Sequence, residues 1–129
     1  MILGIGTDLV AIARLTDMWQ RHGERALEKL LAPDERADCR VSVDPGRFLA
    51  KRFAAKEALG KALGTGVRAP VLLPSMAIVH DELGKPGFRF FDALADWIAT
   101  RKLVCHLSVS DEADYAQAFV VVEEICTDR

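Results

Sequence analysis

The 129-residue chain is 50% hydrophobic but only 7% aromatic, with a formal net charge of −2. That is enough for one domain, residues 1–129, around a modest aliphatic core, and the charge balance implies no broad nucleic-acid-binding face. No apolar run is long enough to span a bilayer, and the start MILGIGTDLV lacks a signal peptide's basic region and cleavage site, so a soluble cytoplasmic domain is expected.

Ile2 to Val10 reads as a buried strand with a carboxylate, Asp8, near its end. Alternation puts Gly4, Gly6 and Asp8 on one face and Leu3, Ile5 and Leu9 on the other. Glycine inside a strand often marks the close approach of another backbone. Gly4-Ile5-Gly6 is not a dinucleotide fingerprint, because Leu9 stands where a third glycine is required. Asp8 is either a ligand or, more simply, a cap for the helix that follows. That helix is expected over Ile12 to His22, with Arg14 in its first turn, where the helix dipole opposes a cation. Arg14 therefore has a partner elsewhere or is solvated. Glu24 to Leu31 and a segment opened by Pro33-Asp34-Glu35 read as two more short helices.

Val41 to Gly46 is a loop leading into the dominant element, a long helix running through Phe48 to Leu63. Asp44 suits its N-cap, Pro45 its first position, and Gly64 a left-handed end. At about 100° per residue, Phe48, Leu49, Phe53, Leu59 and Leu63 share one broad apolar face. Arg52 and Lys56 fall inside that stripe, which is odd for a simple core helix, and a neighbour or a ligand could satisfy them there. Glu57 and Lys61 sit one turn apart beside Ala50 and Ala54, whose small size leaves room for a ligand or a second backbone. On spacing alone they read as an i,i+4 ion pair on a solvated face.

After a Gly- and Pro-containing loop over residues 64–74, Met76 to His80 and Phe88 to Phe90 form a hairpin with Gly84-Lys85-Pro86 at its tip. Ala93 to Arg101 is an amphipathic helix containing Trp97. Leu103 to Ser110 alternates, with Val104, His106, Ser108 and Ser110 opposite Cys105, Leu107 and Val109; Tyr115 to Glu124 returns as the last strand. The pattern is α+β, a mostly antiparallel sheet packed with one long helix. Cys39, Cys105 and Cys126 are odd in number and lack metal-ligand spacing, so they read as free thiols of a reducing compartment.

No GxSxG, Walker A or HExxH pattern is present. Asp8 and Glu57 come from different elements, and two carboxylates completed by waters and phosphate oxygens suit magnesium. Lys61 would then neutralise a phosphate beside the metal, and Gly64-Thr65-Gly66 would offer backbone N–H groups to another. His106, on the polar face of its strand, would bind an anion, move a proton or serve structure alone. These residues allow metal-dependent phosphate chemistry and nothing more specific.

Three blocks in order carry more. They are Gly4-Ile5-Gly6-Thr7-Asp8-Leu9-Val10 with Ile12 and Arg14; Phe53-Ala54-Ala55-Lys56-Glu57-Ala58 with Lys61-Ala62 and Gly64-Thr65-Gly66; and His106-Leu107-Ser108 before the last strand. With the Gly84-Lys85-Pro86 turn they span nearly the whole chain, which resembles the holo-acyl-carrier-protein synthases, the short type of 4′-phosphopantetheinyl transferase. The resemblance implies that the chain moves 4′-phosphopantetheine from coenzyme A to a serine of apo-acyl-carrier protein, releasing 3′,5′-ADP, in fatty acid biosynthesis. It implies Asp8 and Glu57 as magnesium ligands and Lys61 at the pyrophosphate. Arg52, Gly64, Gly66, Pro86 and His106 would surround the nucleotide end of coenzyme A, and Arg14 would meet acidic residues of the carrier protein. It also implies a homotrimer whose sites draw Asp8, Glu57 and Lys61 from one chain and His106 with the Gly84 to Pro86 turn from the next. Glu57 or a metal-bound water would take the serine proton. Where many members carry Ser-His-Ser after the third block, this chain has Ser110-Asp111-Glu112. Two readings from other classes are a non-catalytic carrier-protein or nucleotide-binding module, which would not need both Asp8 and Glu57, and a small ligand-binding α+β protein without transfer activity.

Overall fold

The nineteen-residue helix α4 (Pro45–Leu63) is the axis of the computed structural model, which describes residues 1–125. Its ends form as local chemistry dictates. The Asp44 carboxylate accepts the Arg47 N–H at 3.1 Å, Pro45 takes the first position, and Gly64 closes the helix at φ 78°. Leu49, Ala54, Ala55, Ala58 and Leu59 are fully buried, so α4 is wrapped on most sides.

On one side lies a three-stranded sheet in the order β1 (Ile2–Ala11), β5 (Tyr115–Glu124), β4 (Leu103–Asp111), antiparallel throughout. Gly6 is opposite Val120, which is opposite Leu107, and Asp8 is opposite Ala118. Gly4, Gly6 and Asp8 thus share the sheet's inner face with Val120, Ala118 and Leu107. The missing side chains let strand and helix backbones touch: a Cβ on Gly4 would fall 1.9 Å from the Ala62 carbonyl oxygen, and one on Gly6 would fall 2.1 Å from that of Ala58. The outer face is open and apolar, with Ile5 62%, Leu9 64% and Phe119 44% exposed.

The other sides of α4 are covered by α1 (Ile12–His22), α2 (Glu24–Leu30) and α3 (Pro33–Arg40), which bury Leu15, Leu27, Leu30 and Cys39. The hairpin β2 (Met76–His80) and β3 (Pro86–Phe90) follows a single 3-10 turn, and α5 (Asp92–Thr100) returns the chain to β4. Leu94 and Ile98 of α5 join the same core as Val120 and Leu59.

Lys56 departs from expectation. It is 0% exposed and needs neither a neighbouring chain nor a ligand, because its ammonium donates to Glu35 Oε1 at 2.6 Å and to the carbonyls of Leu30 at 2.9 Å and Leu73 at 3.0 Å. An ammonium has three donors, and here all three are satisfied inside the core. Cys39 and Cys105 are free thiols, and burial pushes both up to about 11. Cys126 lies outside the described residues.

Candidate active site

Because Gly4 and Gly6 seat β1 directly on α4, the next residue on that face, Asp8, reaches the last two turns of the helix. The Lys61 ammonium donates to the Thr7 carbonyl at 2.9 Å and to Asp8 Oδ1 at 3.2 Å. The Asp8 side chain is 17% exposed and that of Lys61 54%, so the pair sits at the edge of a recess. Glu57, half-buried one turn earlier on α4, completes it. Burial raises the Glu57 carboxyl above its ordinary value, and the Asp8 charge adds to the rise; Lys61 and Arg14 oppose it.

Two sequence alternatives fall away. Asp8 does not cap α1: β1 runs on to Ala11, which holds the N-cap position without a side-chain bond. Glu57 and Lys61 do not form a solvated i,i+4 pair; Lys61 turns to Asp8, and among the described residues Glu57 has no ion-pair partner. Arg14 is exposed on α1 with its guanidinium 5.3 Å from the centroid of the Phe53 ring, one turn before Glu57. Its close partner is aromatic, and its charge also reaches the Glu57 carboxyl, which it helps hold down.

Among the described residues no group of three or more His, Cys, Asp or Glu could hold a metal ion. The donor set is two carboxylates, all oxygen, one of them held protonation-prone by burial and by the other's charge. Zinc sites draw chiefly on His and Cys, and this recess offers neither. It fits magnesium, which keeps waters and takes phosphate oxygens beside one or two carboxylates.

The loop after α4 is less open than the sequence suggested. The N–H of Gly64 donates to Lys61 O at 3.1 Å and that of Gly66 to Gly60 O at 3.0 Å, which leaves the Thr65 N–H outside these bonds. Both glycines adopt positive φ, 78° and 66°, a backbone shape that a side chain would strain.

A second group forms on the far side of α4. Arg52 lines a cleft of about 130 Å³ with Lys51, His80, Gly84 and Pro86. Its guanidinium stacks on Phe48 at 3.7 Å; its Nε is buried without a hydrogen bond, 3.7 Å from Glu35 Oε2. His80 is held below its ordinary value by burial, then by the charges of Arg52 and Lys51. Lys51 and Arg47 also hold Asp111, at 3.6 Å and 2.8 Å, and Arg47 donates to the Glu112 carbonyl. The Ser110-Asp111-Glu112 turn is therefore anchored to α4.

His106 stands apart from both groups. It projects from the outer face of the sheet and bonds Glu123 Oε1 at 2.5 Å, so the sheet separates it from Asp8 of its own chain. The structure thus brings Asp8, Glu57, Lys61 and Arg14 together, Arg52 with Pro86 in a second place, and His106 in a third. Sequence reasoning passed over Glu35, Lys51, His80 and Glu123. Only Glu35 had a signal, the unexplained charge of Lys56 in an apolar stripe.

Comparison with known proteins finds relatives over nearly the whole chain. A family model described as the 4′-phosphopantetheinyl transferase superfamily matches residues 4–120. The holo-[acyl-carrier-protein] synthase of Dechloromonas aromatica is 59% identical over 123 residues, covering 95% of this chain and 98% of the relative. The crystal structure of the same-named protein from Neisseria meningitidis superposes with a TM-score of 0.91 at 42% identity, over 96% of this chain and 100% of that one. A third, from Bacillus anthracis, was solved in complex with CoA (3′,5′-ADP); its TM-score is 0.81 at 31% identity, over 97% and 99% of the two chains.

Proposed function

The chain belongs to the 4′-phosphopantetheinyl transferase superfamily, and on that premise we propose how its residues divide the work. It is a holo-acyl-carrier-protein synthase: it transfers 4′-phosphopantetheine from coenzyme A to a serine of apo-acyl-carrier protein and releases 3′,5′-ADP. One domain, residues 1–129, does this in the cytoplasm; no helix among the described residues is long and apolar enough to cross a membrane.

The observation that carries the assignment is the recess of Asp8, Glu57 and Lys61. Asp8 and Glu57 would hold magnesium, which when bound supplies charge neutralisation at the pyrophosphate oxygens. Lys61, largely exposed, exchanges Asp8 for the pyrophosphate and adds a second positive charge where the bond breaks. Glu57, with its raised carboxyl, suits the role of base toward the carrier serine; a water at the same place is the other acceptor. Arg14, exposed beside this recess, meets the acidic surface of the carrier protein.

Arg52 and Pro86, with Gly64, Gly66 and His106, receive the nucleotide end of coenzyme A. His106 faces away from Asp8 of its own chain, which supports its serving the site of a neighbour. The open apolar face around Ile5, Leu9 and Phe119 supports the same homotrimer, since exposed patches of that kind mark interfaces.

Incubation with apo-carrier protein, coenzyme A and magnesium tests the reading. A mass gain of one phosphopantetheine on the carrier is expected. Binding of coenzyme A without mass gain would favour the non-catalytic module instead.

A further inference from the structure

We propose that Glu35 is a positioning residue for the nucleotide end of the site: its buried carboxylate, locked by Lys56, fixes Arg52 and the β2–β3 hairpin relative to α4. The proposal rests on the assignment of Arg52 and Pro86 to that end.

Glu35 is 4% exposed, and four groups converge on its two oxygens. Oε1 accepts the Ala32 N–H at 2.9 Å and the Lys56 ammonium at 2.6 Å. Oε2 accepts the Ile78 N–H at 2.9 Å and faces Arg52 Nε at 3.7 Å. One carboxylate therefore joins the entrance of α3, the middle of α4 and the backbone of β2. Through Lys56 it also reaches the end of α2 and the turn before β2, at Leu30 and Leu73.

A buried ion pair is a poor device for stability alone, because well-packed apolar replacements are often as stable or more so. What a negative charge does here that an apolar group would not is hold a guanidinium. Arg52 lies between the Phe48 ring and Glu35 Oε2, so its plane is set by stacking on one side and attraction on the other. The Ile78 bond does the same for the hairpin: two residues on, His80 pairs with Pro86 at the rim of the Arg52 cleft. Both walls of that cleft are thus referenced to a single side chain. Lys56 makes the carboxylate affordable in the core, and its chain neighbour Glu57 belongs to the other half of the site.

The test uses four variants of the full chain. Arg52→Ala tests the underlying assignment and should raise KM for coenzyme A while leaving KM for carrier protein unchanged. Glu35→Gln/Lys56→Met removes both charges of the pair together, so neither is left inside without the other, while Arg52 loses its carboxylate. It should fold with a wild-type circular dichroism spectrum and raise KM for coenzyme A about tenfold, the scale of one charge-assisted bond, with KM for carrier protein unchanged. Glu35→Asp keeps the charge for Lys56 but withdraws the oxygens from Arg52 and Ile78; it should raise the same KM by a smaller factor. Adding Glu35→Asp to Arg52→Ala should raise KM by less than the product of the two separate factors, since the two share the Arg52 contact.

If Arg52→Ala leaves KM for coenzyme A untouched, the nucleotide assignment itself fails. If Arg52→Ala raises it but the folded Glu35 variants do not, the positioning role is refuted. Should the double variant not fold, Glu35→Asp decides alone. Failure of Glu35→Asp to fold, or equal effects on both substrates, would assign Glu35 to the fold and overturn the proposal.

Discussion

Gly6→Ala adds one methyl group at the point where β1 meets α4. The new Cβ would lie 2.1 Å from the Ala58 carbonyl oxygen and 2.7 Å from the Ala62 nitrogen, both backbone atoms of the helix. Ordinary contact begins at 3.4 Å, which is 1.3 Å farther out than 2.1 Å, so strand and helix must part by about that much. No flexible side chain can absorb the shift. Overpacking of this kind costs about 1–3 kcal/mol, and a rigid neighbour argues for the upper end. At about 4 °C per kcal/mol for a chain of this size, Tm should fall by roughly 8–12 °C. The greater effect is on the recess. Asp8 is two residues from Gly6 on the same face and 3.2 Å from Lys61, so the same displacement breaks that contact and moves Asp8 away from Glu57. A misplacement of about 1 Å can cost on the order of a hundredfold in rate. The assay is initial-rate mass transfer to the carrier, with calorimetry on the same sample. Gly4→Ala provides the comparison: its clash is 1.9 Å, against Ala62 O, but it lies farther from Asp8. It should lose similar stability and less activity. Gly6→Ala within about threefold of wild-type turnover, with an unchanged melting point, would refute the role given to this contact.

Asp8→Asn and Glu57→Gln keep shape but remove charge from a hard-cation site, so transfer should fall strongly while far-ultraviolet circular dichroism is unchanged; near wild-type turnover in either would remove its ligand role. Glu57→Gln should also raise Tm in metal-free buffer above neutral pH. A carboxyl raised in the folded state binds its proton more tightly there than in the unfolded chain, so stability declines as pH rises from the ordinary toward the raised value and stays lower beyond it, a loss that glutamine removes. Lys61→Ala should impair handling of coenzyme A. Arg14→Ala should raise KM for carrier protein, by a factor that shrinks at high salt; equal effects on both substrates would count against docking. Light scattering should report a trimer, and Ile5→Asp, on the open sheet face, should shift it toward monomer. Co-refolded Asp8→Ala and His106→Ala chains should regain activity, and a mixture as inactive as its parents despite proven subunit exchange would refute the shared site.

Much of this was legible because it is local. The limits of α4 follow from Asp44, Pro45 and Gly64, each acting within one turn, and the face of Asp8 follows from strict strand alternation. What could not be read depends on contacts between elements. The i,i+4 rule offered Glu57 as the partner of Lys61, but β1 presents Asp8 to the same ammonium, and the tertiary contact prevails. Lys56 announced itself as a charge in an apolar stripe. Its acid, Glu35, lies 21 residues earlier on another helix, and no periodicity links the two. The blocks around Asp8, Glu57 and His106 gave the site's membership; they did not show that the sheet keeps His106 on the opposite side from the other two.

The substrate itself carries a thiol at the end of its pantetheine arm, and once that thiol has been oxidised to a disulfide an accessible protein thiolate can attack it, forming a mixed disulfide and releasing the other sulfur as a thiolate. Burial holds the Cys39 and Cys105 thiols up at about 11, above the ordinary cysteine value, so both stay protonated near neutral pH. Neither thiol is therefore poised to attack an oxidised coenzyme A. A protein that handles a reactive sulfur at every turnover thus keeps these two of its own sulfurs chemically silent.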